Sequence, residues 1–255
     1  MVDRYKDRIK SIDTTLDILE AIRHSGRGNI SEISERTGQT KSTVHRHLNT
    51  LRDRGYVVKD GNGYAISLKM LRLSSGTLDR HILYSATKSV INDLAEETGE
   101  SAATAVEENG EAVYLYYNRT DQAIRTDARV GIRLYLHCTG AGKALLAHLP
   151  ADQVDAIIDD HGLPEKTSNT ITDRDTLEEE LQKVRNTGIA FDNEERVDGM
   201  RGVATPIQNR ETGELLGAIT VAGPTRRISD DRFRDEIPTL LKDTAKMVEV
   251  NITYS

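Results

Sequence analysis

Three short helical patterns followed at once by a hairpin signal fill residues 9 to 68, and few folds accommodate that order. From Ile9 to His24 the apolar residues Ile12, Leu16, Leu19 and Ile22 recur at three- and four-residue steps, the stripe of an amphipathic helix. It stops at "SGRGN". In "NISEISERTG" Asn29 or Ser31 serves as N-cap, Ile30 and Ile33 point inward, and Gly38 takes the left-handed stop. A third helix, capped by Thr40, runs through "KSTVHRHLNTLRDRG" to Gly55 with Val44, Leu48 and Leu51 on one face. In "YVVKDGNGYAISL" two β runs, 56–59 and 64–68, flank Asp60-Gly61-Asn62-Gly63, whose residues accept the positive φ of a tight hairpin. Three helices and a hairpin predict a winged helix-turn-helix domain over residues 1–75.

The third helix is the informative one. Opposite its apolar stripe, and at its start, it presents Thr40, Lys41, Ser42, Thr43, His45, Arg46, Asn49 and Thr50. These are hydrogen-bonding side chains with cations among them, the type that reads base edges and grips phosphates in a major groove. An ordinary solvated face would hold more glutamate, and here the first acid is Asp53, at the far end. In the hairpin, Lys59 is within reach of backbone phosphate, although a plain surface turn reads the tip equally well. Charge divides the same way: residues 1–75 hold 14 Lys and Arg against 9 Asp and Glu, and the remainder 20 against 32. A polyanion is tolerated by the first part and repelled by the second.

Residues 69 to 99 read as helical, a linker helix at about 69–80 being separated near Gly76 from a longer helix containing Val90, Ile91 and Leu94. Past Gly99 the period changes. "AATAVEENGEAVYLYYN" carries two β runs around Glu108-Asn109-Gly110, and "AIRTDARVG" reads as a third strand. "ADQVDAIIDDHG" and "TDRDTLEEELQKVRNTG" are helices, the second capped by Thr172. Later strands follow in "IAFDNEERVDGMRGVATPI" and "ELLGAITVAG", with a final helix from about Ser229. This order predicts an α+β domain over residues 76–255.

Within it, "HCTGAGKALLAHLP" imitates a phosphate loop and fails as one. With Gly142-Lys143 as the Gly-Lys pair, His137 stands where the first glycine belongs and Ala144 where the hydroxyl belongs. What survives is Thr139 as an N-cap with Gly140, Ala141 and Gly142 opening a helix, either an anion seat or a close-packing device. Lys143, one turn in, reads as solvated. His45 and His47 lie two apart on a helix and cannot share a metal, and His137, His148 and His161 lack partners at ligand spacing. The single cysteine, Cys138, reads as a buried small residue in a reducing compartment. "DNEE", Asp192 to Glu195, is either an acid–base pair or a solvated turn. No catalytic residue, metal or cofactor is expected. The N-terminus lacks a signal-type apolar core and no run is long enough to span a membrane, so the expected location is the cytoplasm.

"SIDTTLDILEAI", "SEISERTGQTKSTVHRHLNTLRDRGYV", "LYLHCTGAGKALLAHL", "FDNEERVDGMRGVATPI" and "GAITVAGP", in that order, make the chain resemble the IclR-type transcription regulators over nearly all of residues 9–250. The resemblance implies a winged helix-turn-helix, a linker helix and a GAF-like α+β effector-binding domain. It implies a homodimer or homotetramer on double-stranded operator DNA, switched by a small organic acid. Carried over by motif, the ligand-binding positions are Leu134, Gly140, Ala141, Asp192, Met200, Gly202, Thr220 and Ala222. Gly202 stands where many members have cysteine and Ala222 where some have a hydroxyl residue, which implies a roomier, less polar pocket. The rival reading is an enzyme acting on a small carboxylate, built around Asp192, Glu194, His137 and Lys143.

Overall fold

The computed structural model describes residues 8–124 and 126–253. Arg125, in the segment expected to be a third strand, and the first seven residues, part of the stretch read for an export signal, lie outside them. The chain forms two compact units, Met1–Leu78 and Asp79–Ser255.

The first unit contains α1 (Lys10–Ser25), α2 (Ile30–Thr37), α3 (Lys41–Asp53), β1 (Val57–Asp60), β2 (Gly63–Ile66) and α4 (Lys69–Leu78). Its core is Ile18, Ile22, Ile33, Val44, Leu48, Leu51, Val57 and Tyr64. The inward stripe of α1 therefore differs from the expected one: Thr14, Ile18 and Ile22 are buried, whereas Ile12 and Leu16 are 53% and 55% exposed. Two apolar stripes share this helix, and periodicity alone does not say which one a neighbour covers. Asn29 caps α2 in a reciprocal box, accepting the Ser31 and Glu32 N–H groups while Glu32 accepts its own. In the hairpin Asp60 pairs with Gly63, and Tyr64 also exchanges two hydrogen bonds with Gly28, so the loop between α1 and α2 docks on the wing. Gly76 sits inside α4, and the break before the next helix falls at residues 79–81.

The second unit comprises α5 (Ile82–Thr98), β3 (Ser101–Glu108), β4 (Glu111–Arg119), β5 (Arg133–Tyr135), α6 (Gly140–Leu146), α7 (Ala151–His161), α8 (Arg174–Thr187), β6 (Ala190–Asn193), β7 (Met200–Gln208), β8 (Leu215–Pro224), a π-helical turn (Arg232–Glu236) and α9 (Ile237–Thr253). The strands form one antiparallel sheet in the order β5-β4-β3-β8-β7-β6. Alternation along β3 divides its two faces. Thr104 hydrogen-bonds Thr87 of α5, while Ala103 and Ala105 join the core built with α6 and α8. Asn109 and Gly110 both take positive φ, as a two-residue hairpin loop requires.

Two expectations are corrected. "AIRTDARVG" supplies no strand among its described residues; the edge strand is the later Arg133–Tyr135, because the ladder beside β4 ends at Gly131, whose φ of 78° leaves the extended region. Asp173 rather than Thr172 caps α8, accepting the Thr176 N–H at 2.9 Å, a bond that also holds its carboxyl below the usual range. The last helix starts at Asp230, directly after the expected Ser229, whose carbonyl accepts the Phe233 N–H at 2.8 Å, and passes through the π turn into α9. No described helix is long and apolar enough to cross a membrane.

Candidate functional site

Two places gather the predicted residues. On α3 the buried stripe is Val44, Leu48 and Leu51. Thr40, Lys41, Ser42, His45, Arg46 and Thr50 are exposed, with Thr43 and Asn49 half-buried. The Thr40 hydroxyl accepts the Thr43 N–H at 3.2 Å, and the Asn49 amide lies 3.4 Å from the His45 ring. Among the described residues no carboxylate pairs with Lys41 or Arg46, so their charge is available to an anion outside the unit. His47 points elsewhere, its Nδ1 2.8 Å from the Thr15 hydroxyl of α1. Lys59 is exposed on β1, 6.0 Å from the Tyr64 ring centre.

The second place is a cavity under the start of α6. Its floor is a row of small residues in register across four strands: Ser101 opposite Ala222, Ala222 opposite Gly202, and Gly202 opposite Asp192. One step along, Ala103 and Thr220 extend it. Small side chains on neighbouring strands leave a hollow that larger ones would fill. Gly140 and Ala141 form the roof, and Thr139 aims the helix by accepting the Gly142 N–H at 3.0 Å. That leaves the N–H groups of Gly140 and Ala141, which the helix itself cannot satisfy. Gly142 is obligatory, since a Cβ there would collide with the Leu136 backbone and the Thr139 hydroxyl. A Cβ on Gly202 would meet Asp192 and Ala222 at ordinary contact distance and point into the hollow.

Seven of the eight carried-over positions line this cavity; Leu134 does not. It is a core residue whose remaining exposure faces a neighbouring groove, because the short strand β5 lies at the far edge of the sheet. The sequence reading missed Tyr114, Tyr117, Thr126, Ala128 and Arg196, all of which line the cavity. The two tyrosines, three apart, share a face because a bulge shifts the register opposite Thr104 and Ala105, and nothing in the local sequence announces it. Burial pushes the Tyr114 hydroxyl up to about 12, so it stays a neutral hydrogen-bonding group. Arg196 lay inside a motif already singled out, as the one cation of an acidic turn.

One turn further along α6 lies a buried charge cluster. Lys143 is fully buried, contrary to the solvated reading, and its Nζ lies 2.6 Å from Glu195 and 3.5 Å from Glu180. The reason is tertiary: α6 is covered on every side, so no face of it reaches water. "DNEE" is no solvated turn either, for Glu195 is buried and its Oε2 has no partner among the described residues. Burial raises the Glu195 carboxyl despite the attraction of Lys143. Asp192 is pushed up to about 7 by burial and then by Glu195, although its carboxylate accepts the Glu195 and Arg196 N–H groups. Near neutrality this acid can present an O–H to a bound molecule. His137 is lowered chiefly by burial and bonds the Pro164 carbonyl; Cys138 is buried and pushed up to about 12. Glu194 bonds the Gly199 N–H and serves its own turn.

A family model for the IclR helix-turn-helix domain matches residues 11–61, and one for the C-terminal part of the bacterial transcriptional regulator IclR matches residues 75–250. The chain is 38% identical over 228 residues to the HTH-type transcriptional regulator BhcR of Paracoccus denitrificans, covering 88% of this chain and 81% of that one. The crystal structure of Thermotoga maritima IclR superposes with a TM-score of 0.82 at 26% identity, over 97% of this chain and 100% of that one. An IclR homologue of Microbacterium hydrocarbonoxydans, solved with 4-hydroxybenzoate, shares the fold with a TM-score of 0.77 at 21% identity, over 96% of this chain and 100% of its own.

Proposed function

The chain belongs to the IclR family of bacterial transcriptional regulators, and on that premise we propose that α3 grips operator DNA while a small organic acid enters the cavity beneath α6 and alters that grip. Its relatives are DNA-binding regulators, and the chain is a regulator rather than an enzyme. In this reading residues 1–75 are the DNA-binding domain and the remainder, GAF-like in plan, senses the effector. Thr40, Lys41, Ser42, Thr43, His45, Arg46, Asn49 and Thr50 face the groove, and Lys59 meets phosphate. One recognition helix contacts few base pairs, so useful specificity calls for two half-sites and a homodimer, or dimers paired into a tetramer, acting in the cytoplasm.

The observation that carries the effector reading is the convergence of Gly140, Ala141, Asp192, Met200, Gly202, Thr220 and Ala222 on one hollow. A carboxylate fits its chemistry. Backbone N–H groups at the roof donate to it, Arg196 supplies charge, and Asp192 joins as a donor once protonated. The homologue bound to 4-hydroxybenzoate carries an acid of this class. An anion beside Asp192 favours its protonated form, so acid binding takes up a proton and tightens as pH falls through about 7.

The test is calorimetric titration of the full chain with a panel of small monocarboxylates, 4-hydroxybenzoate included, alongside an operator-binding assay. Ala141→Asp places a fixed negative charge at the roof and is expected to abolish acid binding while leaving ligand-free DNA binding intact. Acid affinity retained by a folded Ala141→Asp protein would reduce the turn to a packing device.

A further inference from the structure

Beside the acid cavity, sharing with it Arg196 and Val197, lies an open groove that none of the carried-over ligand positions except Leu134 touches. Alternate residues of one loop face the two spaces: Thr126 and Ala128 line the cavity, Asp127 and Arg129 the groove. The groove is also bordered by Arg133 and Lys166, so four cations surround it against one carboxylate. This runs against the composition of the unit, in which acids outnumber bases.

The four cations are not equally engaged. Arg133 is paired with Glu108 at 2.6 Å and Glu111 at 3.3 Å, and Arg196 with Asp127 at 2.5 Å. Arg129 spends one N–H on the Asp127 main-chain carbonyl, and Lys166 lies 4.4 Å over the Tyr135 ring; neither meets a carboxylate among the described residues. The ring holds the lysine in place, and the Lys166 N–H is bound by the Thr170 hydroxyl. A guanidinium and an ammonium held beside one apolar base of Ile132 and Leu134, with donors left over, match a compact oxyanion.

We propose that this groove is a second anion-binding site, taking a phosphate or carboxylate group through Lys166 and Arg129. Its position allows two sources for that group. One is a free phosphate-type anion; the other is a second acid group on a molecule seated in the adjoining cavity, reaching past Arg196. In either case the anion competes with Asp127 for Arg196, which ties the groove to the wall of the acid cavity.

The experiment uses the full chain and two probes at matched ionic strength, with chloride as the reference. Inorganic phosphate is titrated calorimetrically into wild type, the Arg129→Ala/Lys166→Ala double variant and the Lys166→Gln single variant. Succinate is compared with butyrate in the same proteins. Saturable phosphate binding weakened about tenfold or more in the double variant establishes the free-anion source, since two charge-assisted hydrogen bonds are worth at least that. A succinate affinity that falls similarly while butyrate is unchanged establishes the second-acid-group source. Phosphate and succinate that do no better than chloride, or that bind the double variant as well as wild type, overturn the proposal. Both side chains are exposed, so the fold is expected to survive, and Lys166→Gln preserves the side chain's bulk for a variant that does not fold. Ala141→Asp separates this site from the effector reading: it is expected to remove butyrate binding and leave phosphate binding unchanged.

Discussion

Helices α3 and α6 begin alike and end in opposite environments. Each starts at a threonine whose hydroxyl accepts the N–H three residues on, and each carries a lysine in its first turns, Lys41 and Lys143. Around α3 only one face is covered, so its lysine and arginine keep their charge for an outside partner. α6 is buried on all sides, and its lysine is neutralised internally by Glu195 and Glu180. The same capping chemistry thus opens an exposed helix, which the proposed function assigns to recognition, and a buried one that serves architecture. What differs is whether a second layer of chain closes over the helix.

The largest effect that would break this comparison is at Lys143. Lys143→Met leaves Glu195 buried without its cation and is expected to cost about 3–5 kcal/mol in chemical unfolding of the second unit. Lys41→Met, on an exposed face, is expected to stay within about 0.5 kcal/mol. Equal losses at the two lysines would show that α6 is not held by its ion pair. Glu195→Gln added to Lys143→Met is expected to recover part of the loss, because it removes the stranded charge.

Next in size is the pH response of Asp192. Its carboxyl rises from 3.8 to about 7 on folding, so the native state holds the extra proton between those values. Its contribution to stability is complete below the lower value and disappears as pH rises through about 7. Asp192→Asn keeps the oxygen that accepts the Glu195 and Arg196 N–H groups. Thermal melts from pH 5 to 8 are expected to show wild type losing ground steadily to this variant. Parallel curves would mean that the acid is ionised in the fold throughout.

Arg46→Ala and Asn49→Ala each test the open helix, with an expected loss of about 1–3 kcal/mol in operator affinity if the side chain reads a base edge. Melting temperature should not change. Fluorescence anisotropy at fixed salt decides it, and unaltered affinity in both variants would take α3 out of the groove. The smallest difference concerns the caps. Thr40→Ala and Thr139→Ala each remove one cap bond, expected to cost about 1 kcal/mol. Only Thr139→Ala is expected to weaken acid binding as well, since its hydroxyl aims the cavity roof.

The first unit was largely legible in the sequence because its helices are amphipathic and its outer face meets water, so the apolar stripe and the polar face of α3 separate by period alone. Where two stripes coexisted, on α1, the period picked Leu19 and Ile22 correctly but Ile12 and Leu16 wrongly, in place of Thr14 and Ile18. The cavity was legible through motifs rather than patterns: Asp192, Met200, Gly202, Thr220 and Ala222 came from matching segments, and strand register then brought them together. Tyr114 and Tyr117 were invisible, since a bulge sets which way they face.

What the sequence determined by itself was whatever depends on neighbours a few residues apart: the caps at Thr40 and Thr139, the hairpin turns, the heptad-like stripe of α3, and the membership these motifs share with a family. Tertiary structure decided the rest. Whether Lys143 meets water or Glu195, whether Asp192 is charged near neutrality, and whether Leu134 reaches the cavity depend on segments tens of residues away, because burial and charge pairing act through space while sequence periodicity acts only along the chain.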